Sequence, residues 1–135
     1  MSDSEFLYLS HNVSNLVYHI VVCPAKYRRV VFDNTVEIHL RQICLEIEKR
    51  YDYISFLEIG TDKNHVHFLI QSTPNYSPIM IVTIIKSITA RQIFVECPQI
   101  KKALWGGQFW NDEYFVSTVG KNQNETVIKA YVLVV

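Results

Sequence analysis

Four stretches of this 135-residue chain carry side chains able to do chemistry. The first is His65-Val66-His67. Side chains alternate along a strand, so both imidazoles leave one face while Val66 points to the other. Two neighbouring imidazoles can hold one divalent metal if an oxygen or nitrogen from elsewhere joins them. The same spacing also suits a pair of hydrogen-bonded strand histidines. Phe68 and Ile70 continue the Val66 face, and Leu69 and Gln71 continue the other, so the histidine face is expected to be the more polar one. The second stretch surrounds Tyr131, with Val127, Ile128 and Val135 close by. A tyrosine in that setting is a core aromatic, or a covalent nucleophile if a metal or base activates the group it attacks.

The third stretch runs from Leu104-Trp105-Gly106-Gly107 to Trp110 and on to Tyr114-Phe115, just after Lys101 and Lys102. Aromatics beside glycine and lysine could stack nucleic-acid bases, since every base has a π-face. Alternatively, Trp105 and Trp110 pack the end of the core, which at least one of them is expected to do. The fourth, Cys23-Pro-Ala-Lys26-Tyr27-Arg28-Arg29, sets an aromatic among basic groups suited to a phosphate backbone. No spacing singles out His11, His19 or His39, and His39 is expected on the exposed side of a helix.

The elements that must position these groups are readable from periodicity. Leu16 to Cys23 is β-branched and aromatic and reads as a strand, with Tyr27 to Phe32 a short extension or second strand. Asp33 or Asn34 caps a helix to about Arg50, whose buried stripe is Val36, Leu40, Ile43, Cys44 and Ile47. Tyr53 to Ile59, a turn over Gly60 to Lys63, and His65 to Gln71 form a hairpin. After the loop chemistry of Ser72 to Pro78, length favours a helix over Pro78 to Glu96 despite its many isoleucines. Gly106-Gly107 break the chain, Tyr114 to Val119 is a last strand, and Glu125 to Val135 a terminal helix. The order βαββαβ predicts an α+β fold: a ferredoxin-like, RRM-like antiparallel sheet with helices on one face and an extra C-terminal helix.

Composition bounds the function classes. Hydrophobic residues make up 49% and charged residues 19%, with only four glycines and four prolines, which excludes a disordered or collagen-like chain. The length suits one domain over 1–135 that buries roughly two-thirds of its unfolded surface. Thirteen Lys plus Arg balance thirteen Asp plus Glu, so attraction of nucleic acid by net charge is excluded and any such site is a local patch. Lys26, Arg28 and Arg29, and later Lys86, Arg91, Lys101 and Lys102, are the basic clusters; ordinary solvated surface is the bland reading. Three widely spaced cysteines without a CxxC pair suit reduced thiols and a cytoplasmic protein. No secretory signal or membrane-length apolar run is expected.

Taken together, these motifs resemble the single-tyrosine transposases of the small insertion-sequence type, within the HUH (His–hydrophobic–His) nuclease superfamily. Tyr18-His-Ile-Val-Val-Cys-Pro-Ala-Lys-Tyr-Arg-Arg29 is similar to the family's opening strand and basic motif, with Ala25 as an extra residue. Gly60 to Ile70 resembles the segment with the metal histidines, Leu104 to Gly120 is the most specific block, and Val127-Ile-Lys-Ala-Tyr131 resembles the segment with the catalytic tyrosine.

The resemblance implies that His65 and His67 hold Mg²⁺ or Mn²⁺ and that Tyr131 attacks phosphorus, leaving a 5′-phosphotyrosine and a free 3′-OH. It implies action on single-stranded DNA, recognition of hairpins at element ends, and a homodimer in which one subunit's tyrosine segment completes the other's histidine site. Two positions depart from the pattern. Where relatives carry a metal-binding glutamine one turn after the tyrosine, this chain has Val135, so Asp62, Asn64, Glu58 or water would have to fill in. Asn64 stands where aspartate is common. A catalytically impaired hairpin-binding protein of the same fold is the alternative, and a small-molecule metalloenzyme a distant third.

Overall fold

The computed structural model describes residues 7–9, 12–14, 16–25, 33–61, 65–104 and 107–119. Strands β1 (Leu7–Leu9) and β2 (Asn12–Ser14) pair antiparallel, an element the sequence pattern does not announce. There follow β3 (Leu16–Pro24), α1 (Asn34–Arg50), β4 (Ser55–Thr61), β5 (Val66–Ser72), α2 (Pro78–Glu96), α3 (Pro98–Ala103) and β6 (Trp110–Val119). The larger sheet has the order β4-β5-β3-β6, and its three strand pairs are all antiparallel. That is the ferredoxin-like βαββαβ arrangement expected, with α3 added between α2 and β6.

Local chemistry explains the helices. Asp33 caps α1, its carboxylate accepting from the Val36 amide at 3.0 Å, and Val36, Leu40, Ile43, Cys44 and Ile47 all face inward. In α2, Ser77 caps through the Met80 amide and Pro78 occupies the first turn, where it loses no hydrogen bond. Ile81, Val82, Ile85, Ile88 and Ile93 are buried. By length and composition α2 could cross a membrane, contrary to the expectation of no such run; the core helix of a soluble protein passes the same test. Pro98 both stops α2 and opens α3, a short helix where the sequence pattern marks only a termination.

The main core lies between the helices and one sheet face: Tyr18, Ile20 and Val22 of β3 and Val66, Phe68 and Ile70 of β5 meet the buried stripes of α1 and α2. The other face is buried too. Val17, Leu69 and Val119 cluster there with Leu57, which a register shift between Phe56 and Glu58 adds to β4. Gln71, 2% exposed, shares that face with His67, so the histidine side of β5 is the more polar one, as expected, but it is largely buried.

Element ends differ from expectation by a few residues. β4 starts at Ser55 and runs through Gly60 to Thr61, where a turn was expected. β6 starts at Trp110 rather than Tyr114, because Trp110 pairs with Pro24 across a register shift after Val22. Gly107 closes the turn before it by donating its amide to Leu104 O at 2.8 Å; a Cβ there would lie 3.0 Å from that carbonyl oxygen. The Tyr27 to Phe32 extension and the terminal helix over 125–135 lie outside the described residues.

Candidate active site

His65 stands immediately before β5 and His67 is its second residue. Strand alternation sends Val66, Phe68 and Ile70 into the main core and His67 to the opposite face. The two imidazole centroids lie 5.9 Å apart with planes tilted by 42°. Both rings line a cleft of about 640 Å³ together with Val21 and Cys23 of β3 and Asp112, Glu113, Tyr114 and Phe115 of β6. The antiparallel register makes this inevitable: the end of β3 lies between the start of β5, through Val21↔His67, and the start of β6, through Val21↔Phe115.

The walls differ in character. Tyr114 and Phe115 are 39% and 55% exposed, so the β6 wall presents aromatic surface beside two carboxylates. Behind it, the Lys86 ammonium donates to Asn111 O at 2.6 Å and lies 5.9 Å from the Tyr114 ring centre. Partial burial lowers the Lys86 pKa, with the Asp112 carboxylate opposing that shift. Trp110 is buried and donates its indole N–H to Thr89 Oγ1 at 2.9 Å, so this tryptophan packs the core as expected.

A third imidazole, unmarked by any motif, lies deeper. His19 of β3 is fully buried and its ring meets that of His67 edge to edge, centroids 5.6 Å apart and planes within 10°. His67 Nδ1 is 3.4 Å from His19 Nε2. Desolvation, reinforced by the neighbouring His67, pulls the His19 pKa down to about 4, which keeps the ring neutral at neutral pH. The register explains the meeting: His19 pairs with Leu69, two residues beyond His67 on the same face.

Two imidazoles on a cleft wall can serve as nitrogen ligands of a divalent cation; Mn²⁺ or Mg²⁺ would need oxygen ligands to complete the shell. Among the described residues, no third His, Cys, Asp or Glu, Glu58 included, is grouped with them. Asp62, Asn64 and Val135 lie outside the described residues, as do Tyr131, Lys26, Tyr27, Arg28, Arg29 and Trp105. Lys101 and Lys102 are exposed in the last turn of α3 and are not among the described cleft-lining residues. His39 lies outside the buried stripe of α1, on its outer side as expected, with its Nδ1 2.6 Å from a Glu96 carboxylate oxygen. No disulfide joins Cys23, Cys44 and Cys97.

Known proteins share this architecture. Residues 12–133 match the family described as "Transposase IS200 like". The chain is 33% identical over 117 residues to the ISDra2 transposase TnpA of Deinococcus radiodurans, covering 87% of this chain and 82% of that protein. It is 30% identical over 118 residues to the transposase for insertion sequence element IS200 of Salmonella typhimurium, covering 84% and 74%. A crystal structure from Deinococcus radiodurans R1, of a protein assigned as a transposase, superposes with a TM-score of 0.73 at 28% identity, covering 94% of this chain and 95% of that one. The REP-associated tyrosine transposase bound to a REP hairpin shares the fold, with a TM-score of 0.57 at 11% identity over 93% of this chain and 67% of that one. With the family match spanning nearly the whole sequence, the chain belongs to the IS200-like transposases.

Proposed function

We propose that this chain cleaves and rejoins single-stranded DNA at insertion-sequence ends through a 5′-phosphotyrosine link. The observation that carries this reading is the pair His65 and His67 on one cleft wall, 5.9 Å between ring centres, in a member of a transposase family. In this reading the two imidazoles hold Mg²⁺ or Mn²⁺ at the cleft. The bound cation supplies positive charge that polarises the scissile phosphate and offsets charge developing in the transition state.

Tyr131 is the nucleophile. Its hydroxyl oxygen bonds to phosphorus, the bond from phosphorus to the 3′ oxygen breaks, and the departing strand takes a proton to become a 3′-OH. A second 3′-OH then attacks the same phosphorus and returns the phenol, so the phosphodiester is exchanged rather than hydrolysed. Tyr114 and Phe115 offer stacking surface for bases at the cleft. Lys101 and Lys102, with Lys26, Tyr27, Arg28, Arg29 and Trp105, form the DNA-contacting set. The partner is a hairpin-bearing single strand, a reading supported by the REP hairpin bound to the REP-associated tyrosine transposase of similar fold. The active species is a cytoplasmic homodimer of one-domain chains, with no membrane partner.

Incubation with Mn²⁺ and an end-hairpin oligonucleotide is expected to give a covalent protein–DNA adduct that Tyr131→Phe abolishes. The Val135 departure favours one rival, a hairpin-binding protein without cleavage. Tight, salt-sensitive hairpin binding with no adduct in any divalent metal would select that rival.

A further inference from the structure

The third imidazole is not used by the chemistry above. His19 lies 46 residues before His65 in sequence yet its ring meets that of His67, and it does not line the cleft that His67 lines. The contact uses His67 Nδ1, at 3.4 Å from His19 Nε2. With Nδ1 turned toward His19, Nε2 is the ring nitrogen that can serve a ligand in the cleft.

When both rings are neutral, imidazoles facing nitrogen to nitrogen share one proton, and its position decides what His67 can do. If His19 donates Nε2–H, His67 carries its own proton on Nε2 and has no lone pair for a cation. If His67 donates Nδ1–H, its Nε2 carries the lone pair a cation needs. We infer that His19 is a positioning residue: it accepts the Nδ1–H of His67, and this edge-to-edge contact holds the His67 Nε2 lone pair ready for a divalent cation in the cleft. This rests on the reading of His67 as a cation ligand. Partners that orient a metal-binding histidine in this way are commonly worth 10- to 100-fold in metal affinity. Burial adds rigidity: Val17 and Val21 flank His19 along β3, and Leu69 and Ser117 sit opposite it on the neighbouring strands.

The proton's location is measurable without metal. Long-range ¹H–¹⁵N correlation spectra of the metal-free chain are expected to show His67 protonated at Nδ1 and unprotonated at Nε2. His67 protonated at Nε2 overturns the inference. Mn²⁺ binding, followed by the EPR signal of the free ion, supplies the second readout. His19→Met keeps volume without a nitrogen acceptor and is expected to weaken Mn²⁺ about 10- to 100-fold. His19→Gln, whose amide oxygen falls near the lost Nε2, is expected to restore most of that affinity, which a merely space-filling role would not do. Unchanged Mn²⁺ affinity in His19→Met refutes the positioning role. His67→Ala separates the two ideas: Mn²⁺ binding undiminished in that variant refutes the cation reading of His67, whatever the tautomer.

Discussion

Replacing Thr89 by valine removes one oxygen from the joint between α2 and β6. Thr89 is fully buried; its hydroxyl donates to Ile85 O at 2.6 Å and accepts the Trp110 indole N–H at 2.9 Å. Valine has nearly the same shape and β-branching, so helix propensity changes little. What changes is that the indole N–H is left buried without its acceptor, at a cost of about 1–3 kcal/mol. The added buried methyl offsets up to about 0.8 kcal/mol of this. A net loss of about 1–2 kcal/mol is expected, a drop of about 4–7 °C in the unfolding midpoint for a chain of this size. Urea melts at fixed protein concentration measure it, with Trp110→Phe and the double variant completing a cycle. The double variant should be less destabilised than the sum of the singles by about 1–2 kcal/mol. Additivity within about 0.4 kcal/mol would refute the reasoning. The joint matters to function because Trp110 opens the strand whose residues 112–115 wall the cleft.

Three further outcomes are expected. Asp33→Ala removes the α1 cap and should cost about 1 kcal/mol in the same melts, whereas Asp33→Asn should be near neutral. Burial and the nearby Glu48 carboxylate push the Cys44 thiol up to about 12, with Arg41 opposing, so it should resist thiol reagents until the chain unfolds. An unfolded thiol titrates near 9, so the folded chain binds more protons between 9 and 12; this stabilisation is complete below pH 9 and lost as pH rises toward 12, and Cys44→Val should flatten that loss. Lys101→Ala and Lys102→Ala should each weaken hairpin binding across sequences and reduce the salt slope by about 0.7–0.9, as measured by titration at several salt concentrations.

Much of the fold is legible in the sequence because it is local. The HxH pair declares itself through period-two spacing, although β5 itself begins only at Val66, and α2 through its length and bracketing prolines. His19 is illegible because its partner is 48 residues away, and only the β3–β5 register brings the rings together. The start of β6 is hidden because Asn111, Asp112 and Glu113 are poor strand formers; pairing with β3 overrides their preference. The histidine face reads as polar when β5 is taken by itself; neighbouring strands add Val17, Val119 and Leu57 around Leu69. The basic motif, Trp105 and Tyr131 lie outside the described residues, so their roles rest on sequence resemblance.

The most direct measurement is mass spectrometry of the covalent species trapped with Mn²⁺ and an end-hairpin oligonucleotide, after trypsin and nuclease digestion. The nucleotide is predicted on the tryptic peptide that follows Lys129, at Tyr131. A nucleotide on any other residue, or an adduct that survives Tyr131→Phe, would contradict the account.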